Sequence, residues 1–174
     1  MRWFDRNFKF DNLEGTFGGI LERLKGTPLR LTSKIHSIPS DQYCKVLNGS
    51  WTIQEQVGHL GDLESLWEAR FMDFIKGREV LTEADLTNKK THQSNHNNKN
   101  IDDLLNDFSH QRERLCEFLF SIRGKAEHWN SKHPRLLAPM RPIDLAYFIA
   151  EHDDHHLARI TEIHNQLNEL RSNE

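Results

Sequence analysis

The chain has 174 residues, with 23 Lys and Arg against 26 Asp and Glu for a net charge of −3, and a mean hydropathy of −0.74. That balance excludes the strong positive field of a nucleic-acid binder, and the longest apolar run, residues 145–150, is far short of the roughly 20 residues of a membrane span. The first residues alternate charges with aromatics rather than forming the apolar stretch of a signal peptide, and Cys44 and Cys116 make no paired motif, so one cytoplasmic domain over 1–174 with free thiols is expected.

In chain order, Leu13, Phe17, Ile20, Leu21 and Leu24 recur at helical spacing up to Gly26. Thr27-Pro28 then reads as a cap with proline at the first helical position, followed by Leu29, Leu31, Ile35 and Ile38, so the first helix is expected to bend or break near Pro28. Residues 40–50 read as a loop. Thr52-Ile53-Gln54-Glu55 matches a capping box and starts a second helix that runs to about Gly77. Its apolar stripe is Val57, Leu60, Leu63, Trp67, Phe71 and Phe74; His59 lies about 100° from the stripe's centre, which periodicity alone makes a boundary position. Residues 78–99 form a long polar connection rich in Asn and Lys. Asn100 caps a third helix with the face Ile101, Leu104, Leu105, Phe108, Leu115, Leu119 and Ile122, ending at Gly124, with Cys116 near that face as a small buried hydrophobe. After a second connection, 125–140, Pro142 opens a fourth helix that continues to about Arg171. Long amphipathic helices without strand-like alternation argue for an all-α four-helix bundle.

The fourth helix carries Glu151-His152-Asp153-Asp154-His155-His156. Residues four apart share a helical face, so His152 and His156 can present ring nitrogens to one metal ion. The helix's apolar side chains, among them Leu145, Phe148, Ile149, Ile160, Ile163, Leu167 and Leu170, average near His156, with His152 about 40° from it and His155 about 100° away. The pair therefore faces the core, where unpaired imidazoles would cost on the order of 1–3 kcal/mol and an ion would satisfy them. His155 fits an outer-shell or surface role. His92 and His96 share the same spacing but stand among polar residues, and His36, His110, His128 and His164 are scattered.

The stretch Trp51-Thr52-Ile53-Gln54-Glu55-Gln56-Val57-Gly58-His59-Leu60, then His133-Pro134, Pro139-Met140 and Glu151-His152-Asp153-Asp154-His155-His156-Leu157-Ala158-Arg159-Ile160, resembles the DinB/YfiT-like superfamily over nearly the whole chain. The resemblance implies a metal-binding four-helix bundle, commonly dimeric, with one ligand on the second helix and an H-x-x-x-H pair on the fourth. Those positions fall on His59, His152 and His156. It also implies an activity range that includes thiol S-transferases using bacillithiol and thiol-dependent isomerases, and it does not imply DNA repair chemistry.

An open site of three neutral imidazoles is the pattern of a catalytic ion, zinc first, with nickel, iron or manganese as alternatives. The expected function is a metal-dependent thiol S-transferase acting on a small electrophile with a low-molecular-weight thiol; the alternatives are a metal-dependent hydrolase and a non-catalytic dimeric metal-binding or stress-response module. Glu55 and Asp62, one turn before and three residues after His59, can reach the ion's surroundings, and Arg159 can receive a substrate carboxylate, which makes Glu55 and Arg159 the catalytic candidates. No Glu-x-x-His, H-E-x-x-H, phosphate loop or G-x-S-x-G is present. Both metal-bearing helices are expected to begin at one end of the bundle. On that basis 125–140, with Trp129, His133 and Met140, is assigned to the wall of the site, and 78–99 to flexibility or dimer contacts.

Overall fold

The computed structural model describes residues 3–10, 15–126 and 128–173. Among them are α1 (Phe17–His36), α2 (Ile53–Ile75), α3 (Lys89–Gln93), α4 (Ile101–Ser121) and α5 (Pro142–Ser172), with a small antiparallel hairpin of β1 (Ser131–Lys132) and β2 (Pro139–Met140). The protein is an all-α four-helix bundle: α1 packs on α4 and α5, and α2 packs on the same two, so α1 faces α2 across the diagonal. Among the described residues no helix is long and apolar enough to cross a membrane.

Local signals set the helix ends. Thr52 Oγ1 accepts from Glu55 N at 3.1 Å while Glu55 Oε2 accepts from Thr52 N at 2.8 Å, closing the capping box. Asn100 Oδ1 accepts from Asp102 N at 2.7 Å, and Pro142 stands at the start of α5. The expected break at Pro28 does not occur. Proline sits buried inside a continuous α1, where packing on α4 and α5 outweighs the lost backbone bond; Leu13, counted with this helix from its spacing, lies outside the described residues.

The core is divided in two. One cluster holds Leu24 of α1, Trp67 and Phe71 of α2, Leu115 of α4 and Leu145 to Ala150 of α5; the other holds Leu31, Val57 and Leu60, Phe108, and Ile160 and Ile163. This membership gives the helix directions: α2 and α4 run parallel to each other and antiparallel to α1 and α5. The expectation that both metal-bearing helices begin at the same end is thereby corrected. They run in opposite directions and meet near mid-bundle.

Between the two clusters each helix contributes a buried polar residue: Thr27, Glu64, Arg112 and Asp153. Arg112 donates through Nε and Nη2 to Glu64 Oε1 at 3.2 and 2.6 Å, and through Nη2 to Asp153 Oδ1 at 3.1 Å, with a further ion pair from Nη1 to Asp153 Oδ2. The carboxylates hold the guanidinium above its ordinary pKa despite complete burial. One α4 side chain thus ties α2 to α5 at the level of the histidines.

Because α2 and α4 are parallel, residues 76–100 must return along the flank of the bundle. They do so after pairing with the hairpin: Lys132 N donates to Glu79 O at 2.7 Å and Leu81 N to Lys132 O at 3.0 Å. These strands, two residues each, are too short for the alternation that marks a strand in sequence.

Arg112→Ala leaves two carboxylates buried without their cation and is expected to cost about 3–5 kcal/mol, a large part of a domain's stability. Glu64→Gln, which keeps shape and removes one charge, should cost less. Urea denaturation of both variants checks the order; an Arg112→Ala protein as stable as the parent would show that the layer is dispensable.

Candidate metal centre

His59 on α2 and His152 and His156 on α5 are each buried, and their candidate ligand nitrogens all lie within 4.8 Å of one another. His59 is no boundary residue: 78–99 covers the side of α2 that periodicity left to solvent. His152 Nε2 and His156 Nε2 approach to 3.1 Å. Two nitrogens on one tetrahedral ion at about 2.0–2.1 Å would stand about 3.3 Å apart, so the pair is already spaced for a shared ion.

Hydrogen bonds set the ring tautomers. Thr91 Oγ1 donates its one proton to Asp62 Oδ2 at 2.9 Å, so it can only accept from His59 Nδ1, 3.0 Å away, and the lone pair of His59 is left on Nε2. Gln56 Oε1 accepts from His156 Nδ1 at 2.6 Å, which likewise leaves Nε2 of His156 as the acceptor. The buried Nδ1 of His152 has no hydrogen-bond partner. Donor set, tautomers and burial all fit a divalent cation.

Protonation fits as well. Burial lowers the His59 pKa to about 4 and holds those of His152 and His156 well below the ordinary value, so all three rings are neutral at pH 7. His155 is half-buried, its ring 5.2 Å from that of His156, and it lines the cavity rather than joining the cluster.

The cluster opens into a cavity of about 760 Å³. Trp3, Trp51, Trp67 and Phe148 form its aromatic walls, with Trp51 4.6 Å and Trp3 5.0 Å in ring separation from His59 and His152. Arg159 lines it near the surface, paired with Glu162 at 2.5 Å. Glu55 is spent in the capping box and is not among the lining residues, whereas Asp62 reaches His59 through Thr91.

The two connections reverse part of their expected roles. From 78–99, the residues Glu83 to Leu86 and Asn88 line the cavity, Thr91 holds His59, and His96 is buried with Nε2 2.8 Å from Asp62 Oδ2. This segment is part of the site wall, a role the sequence assigns to 125–140, because its route between parallel helices passes the histidines. From 125–140, His133, Pro134 and Arg135 line the cavity, while Trp129 packs against the core and Met140 is fully buried. Sequence reasoning missed Trp3, Arg70, Thr91 and His96. One signal for His96 was present: Gly58 interrupts a helix where alanine would be preferred, and a Cβ there would stand 2.3 Å from the His96 ring.

Buried neutral histidines make the metal-free fold acid-sensitive. His59 and His133, with pKa values lowered to about 4 and about 3, stay unprotonated where their counterparts in the unfolded chain, near 6.5, take up protons. Stability is therefore full above about pH 6.5 and is lost as pH falls from there toward 4. Denaturation midpoints of metal-free protein between pH 8 and 4.5 check this; a flat profile would contradict neutral burial.

A family model of the DinB superfamily matches residues 23–160. Among solved structures, the chain is similar to YfiT from Bacillus subtilis, described as a probable metal-dependent hydrolase with an unusual four-helix bundle topology, at 16% identity over 94% of both chains with a TM-score of 0.80. At that identity the likeness is one of fold. No curated protein matches the sequence. With the model spanning most of α1, all of α2 and α4, and α5 through the histidine cluster, the chain belongs to the DinB superfamily.

Proposed function

We propose that the protein is a metal-dependent enzyme, acting as one domain, in which His59, His152 and His156 hold one divalent ion, zinc foremost, against a small molecule in the cavity. The observation that carries this reading is the convergence of three buried, neutral imidazoles at an open cavity. Nickel, iron and manganese suit the same nitrogen donors. Such an ion would supply Lewis acidity, lowering the pKa of a thiol or water held there toward neutral, with the proton leaving to solvent.

The chain's own residues do the rest. Gln56 and the Asp62–Thr91 pair orient two of the rings, and the aromatic walls limit water. Arg159 stands where it can exchange Glu162 for an anionic group of the reactant. Among the described residues the histidine cluster itself includes no carboxylate, and the cavity's bases, His155, Glu83, Asp85 and Glu162, stand outside it. A thiol, ordinarily titrating near 8.5, needs less help in losing its proton than water does, and this favours thiol transfer to a small electrophile. Hydrolysis is the second reading, favoured by the fold shared with YfiT and by Glu83, Asp85 and Glu162 on the cavity wall. The family resemblance adds a homodimer to the proposal, and the free thiols Cys44 and Cys116 suit a cytoplasmic setting.

Elemental analysis should find one ion per chain. Conjugation of a low-molecular-weight thiol to an activated aryl halide should stop on chelation and return with zinc. Metal-dependent cleavage of an aryl ester without thiol conjugation would select hydrolysis, and neither activity in a stoichiometrically loaded protein would leave a binding module.

His152→Ala and His156→Ala should each abolish stoichiometric binding, while His155→Ala is much milder. Thr91→Val, which removes the acceptor behind His59, should weaken binding about 10–100-fold in competition with a chromogenic chelator. Loss of the ion in His155→Ala with retention in His156→Ala would overturn the ligand set.

A further inference from the structure

One corner of the cavity contains donors without an acceptor. Arg70, three turns after His59 on α2, is only 2% exposed and lines the cavity; its Nε donates to Thr82 O at 2.9 Å, and no carboxylate pairs with it. Beside it, Arg70 Nη1 stands 3.2 Å from His133 Nε2. The backbone N–H groups of Arg135 and Leu136 point at His133 Nδ1 from 3.2 and 3.1 Å and can only donate, so the lone pair of that ring is on Nδ1 and its proton on Nε2. Two donors therefore face each other. Arg135 completes the corner: its Nη2 is buried with no hydrogen-bond partner, and its guanidinium lies 5.2 Å from the Phe4 ring.

The nearby carboxylates do not hydrogen-bond to these groups, although the charge of Asp73 acts on Arg70 from a distance. Asp73 is engaged by Thr82 and Arg78, Asp85 by Thr87 and Lys89 N, Glu162 by Arg159, and Glu83 is exposed and pairs with neither arginine. A buried guanidinium with no carboxylate bonded to it is costly, and burial, with Arg135 nearby, lowers the Arg70 pKa to about 10 even though Asp73 acts in the opposite direction. An oxyanion entering from the cavity would meet all three donors at once.

We propose that Arg70, His133 and Arg135 form an oxyanion subsite that binds the carboxylate, or a similar anionic group, of the small molecule processed at the histidine cluster. The inference rests on the reading of this cavity as a substrate site. Trp67 lies between the two centres, its ring 5.5 Å from the Arg70 guanidinium carbon and 5.8 Å from the His152 ring. A ligand that spans them passes along an indole face, so the class defined is an anion joined through an apolar or aromatic body of about one ring's length to the reacting atom. The cavity volume lies within the range of small-molecule sites.

The test compares 3-phenylpropionate with 3-phenylpropionamide, which have the same body and differ in charge, by calorimetric titration of zinc-loaded and chelated full-length protein. The acid should bind at least about tenfold more tightly than the amide, with the preference kept after chelation. Arg70→Gln and Arg135→Ala should each remove most of it; Arg135 is half-buried in a loop, so its variant tests the subsite even if Arg70→Gln does not fold. Equal binding of acid and amide overturns the proposal, as does failure of both to bind. A preference that vanishes on chelation yet survives in Arg135→Ala overturns it too, placing the carboxylate on the ion. Because binding to chelated protein needs no turnover, a retained preference with no activity would count against the proposed reaction and not against the subsite.

Discussion

Two neighbouring helices that run in the same direction cannot be joined by a turn. α2 has 23 residues, about 35 Å of helix, and its parallel neighbour α4 begins at the end α2 started from, so the chain must return along the outside of the bundle. That return carries Thr91 to His59, His96 onto Gly58, and residues 83–88 to the cavity mouth. The other two long connections join helix ends at the same level and add to the cavity through Trp51 and through His133 to Arg135. The topology therefore decides that 78–99 joins them along the histidines.

The bundle tolerates this site because its middle is polar from side to side. Arg112 holds Glu64 and Asp153 in a fully buried cluster, with Asp153 next to His152 in sequence and Glu64 one turn from Leu60 of the core cluster that holds Leu31 and Phe108. Ion pairs at this depth contribute specificity of register more readily than stability, since desolvation offsets much of their attraction. Here the register fixed is that of α2 against α5, the two helices that bring the three imidazoles together. Next to that layer the imidazoles are kept neutral by burial, and neutral nitrogens are what a cation needs.

Charge is distributed unevenly across the cavity. One wall presents neutral imidazoles and aromatic rings; the other presents Arg70 and Arg135 with no carboxylate between them. Glu83, Asp85, Glu162 and Arg159 line the remainder of the cavity, so the unopposed positive charge is confined to the Arg70–Arg135 corner, and it is that corner which favours an anionic group.

Much of this was legible in the residues themselves. The capping box at Thr52, the Asn100 cap, Pro142 at the head of α5 and the common face of His152 and His156 are local facts, set by hydrogen bonds and spacing within one or two turns. His59 entered only through family resemblance, because it lies at the margin of the apolar stripe, where periodicity cannot show that His156 of α5 and Thr91 of the 78–99 connection both reach it. Pro28 looked like a break because local preference disfavours proline within a helix; packing on both neighbouring helices overrode it. The relative direction of α2 and α5, the approach of His96 to Gly58, and the meeting of Arg70 with His133 across 63 positions depend on contacts between distant segments. Sequence alone determined the four long helices and the shared face of His152 and His156, since both follow from short-range geometry. Only tertiary structure decided what those histidines meet, because that depends on how the helices are ordered and on the path of the chain between them.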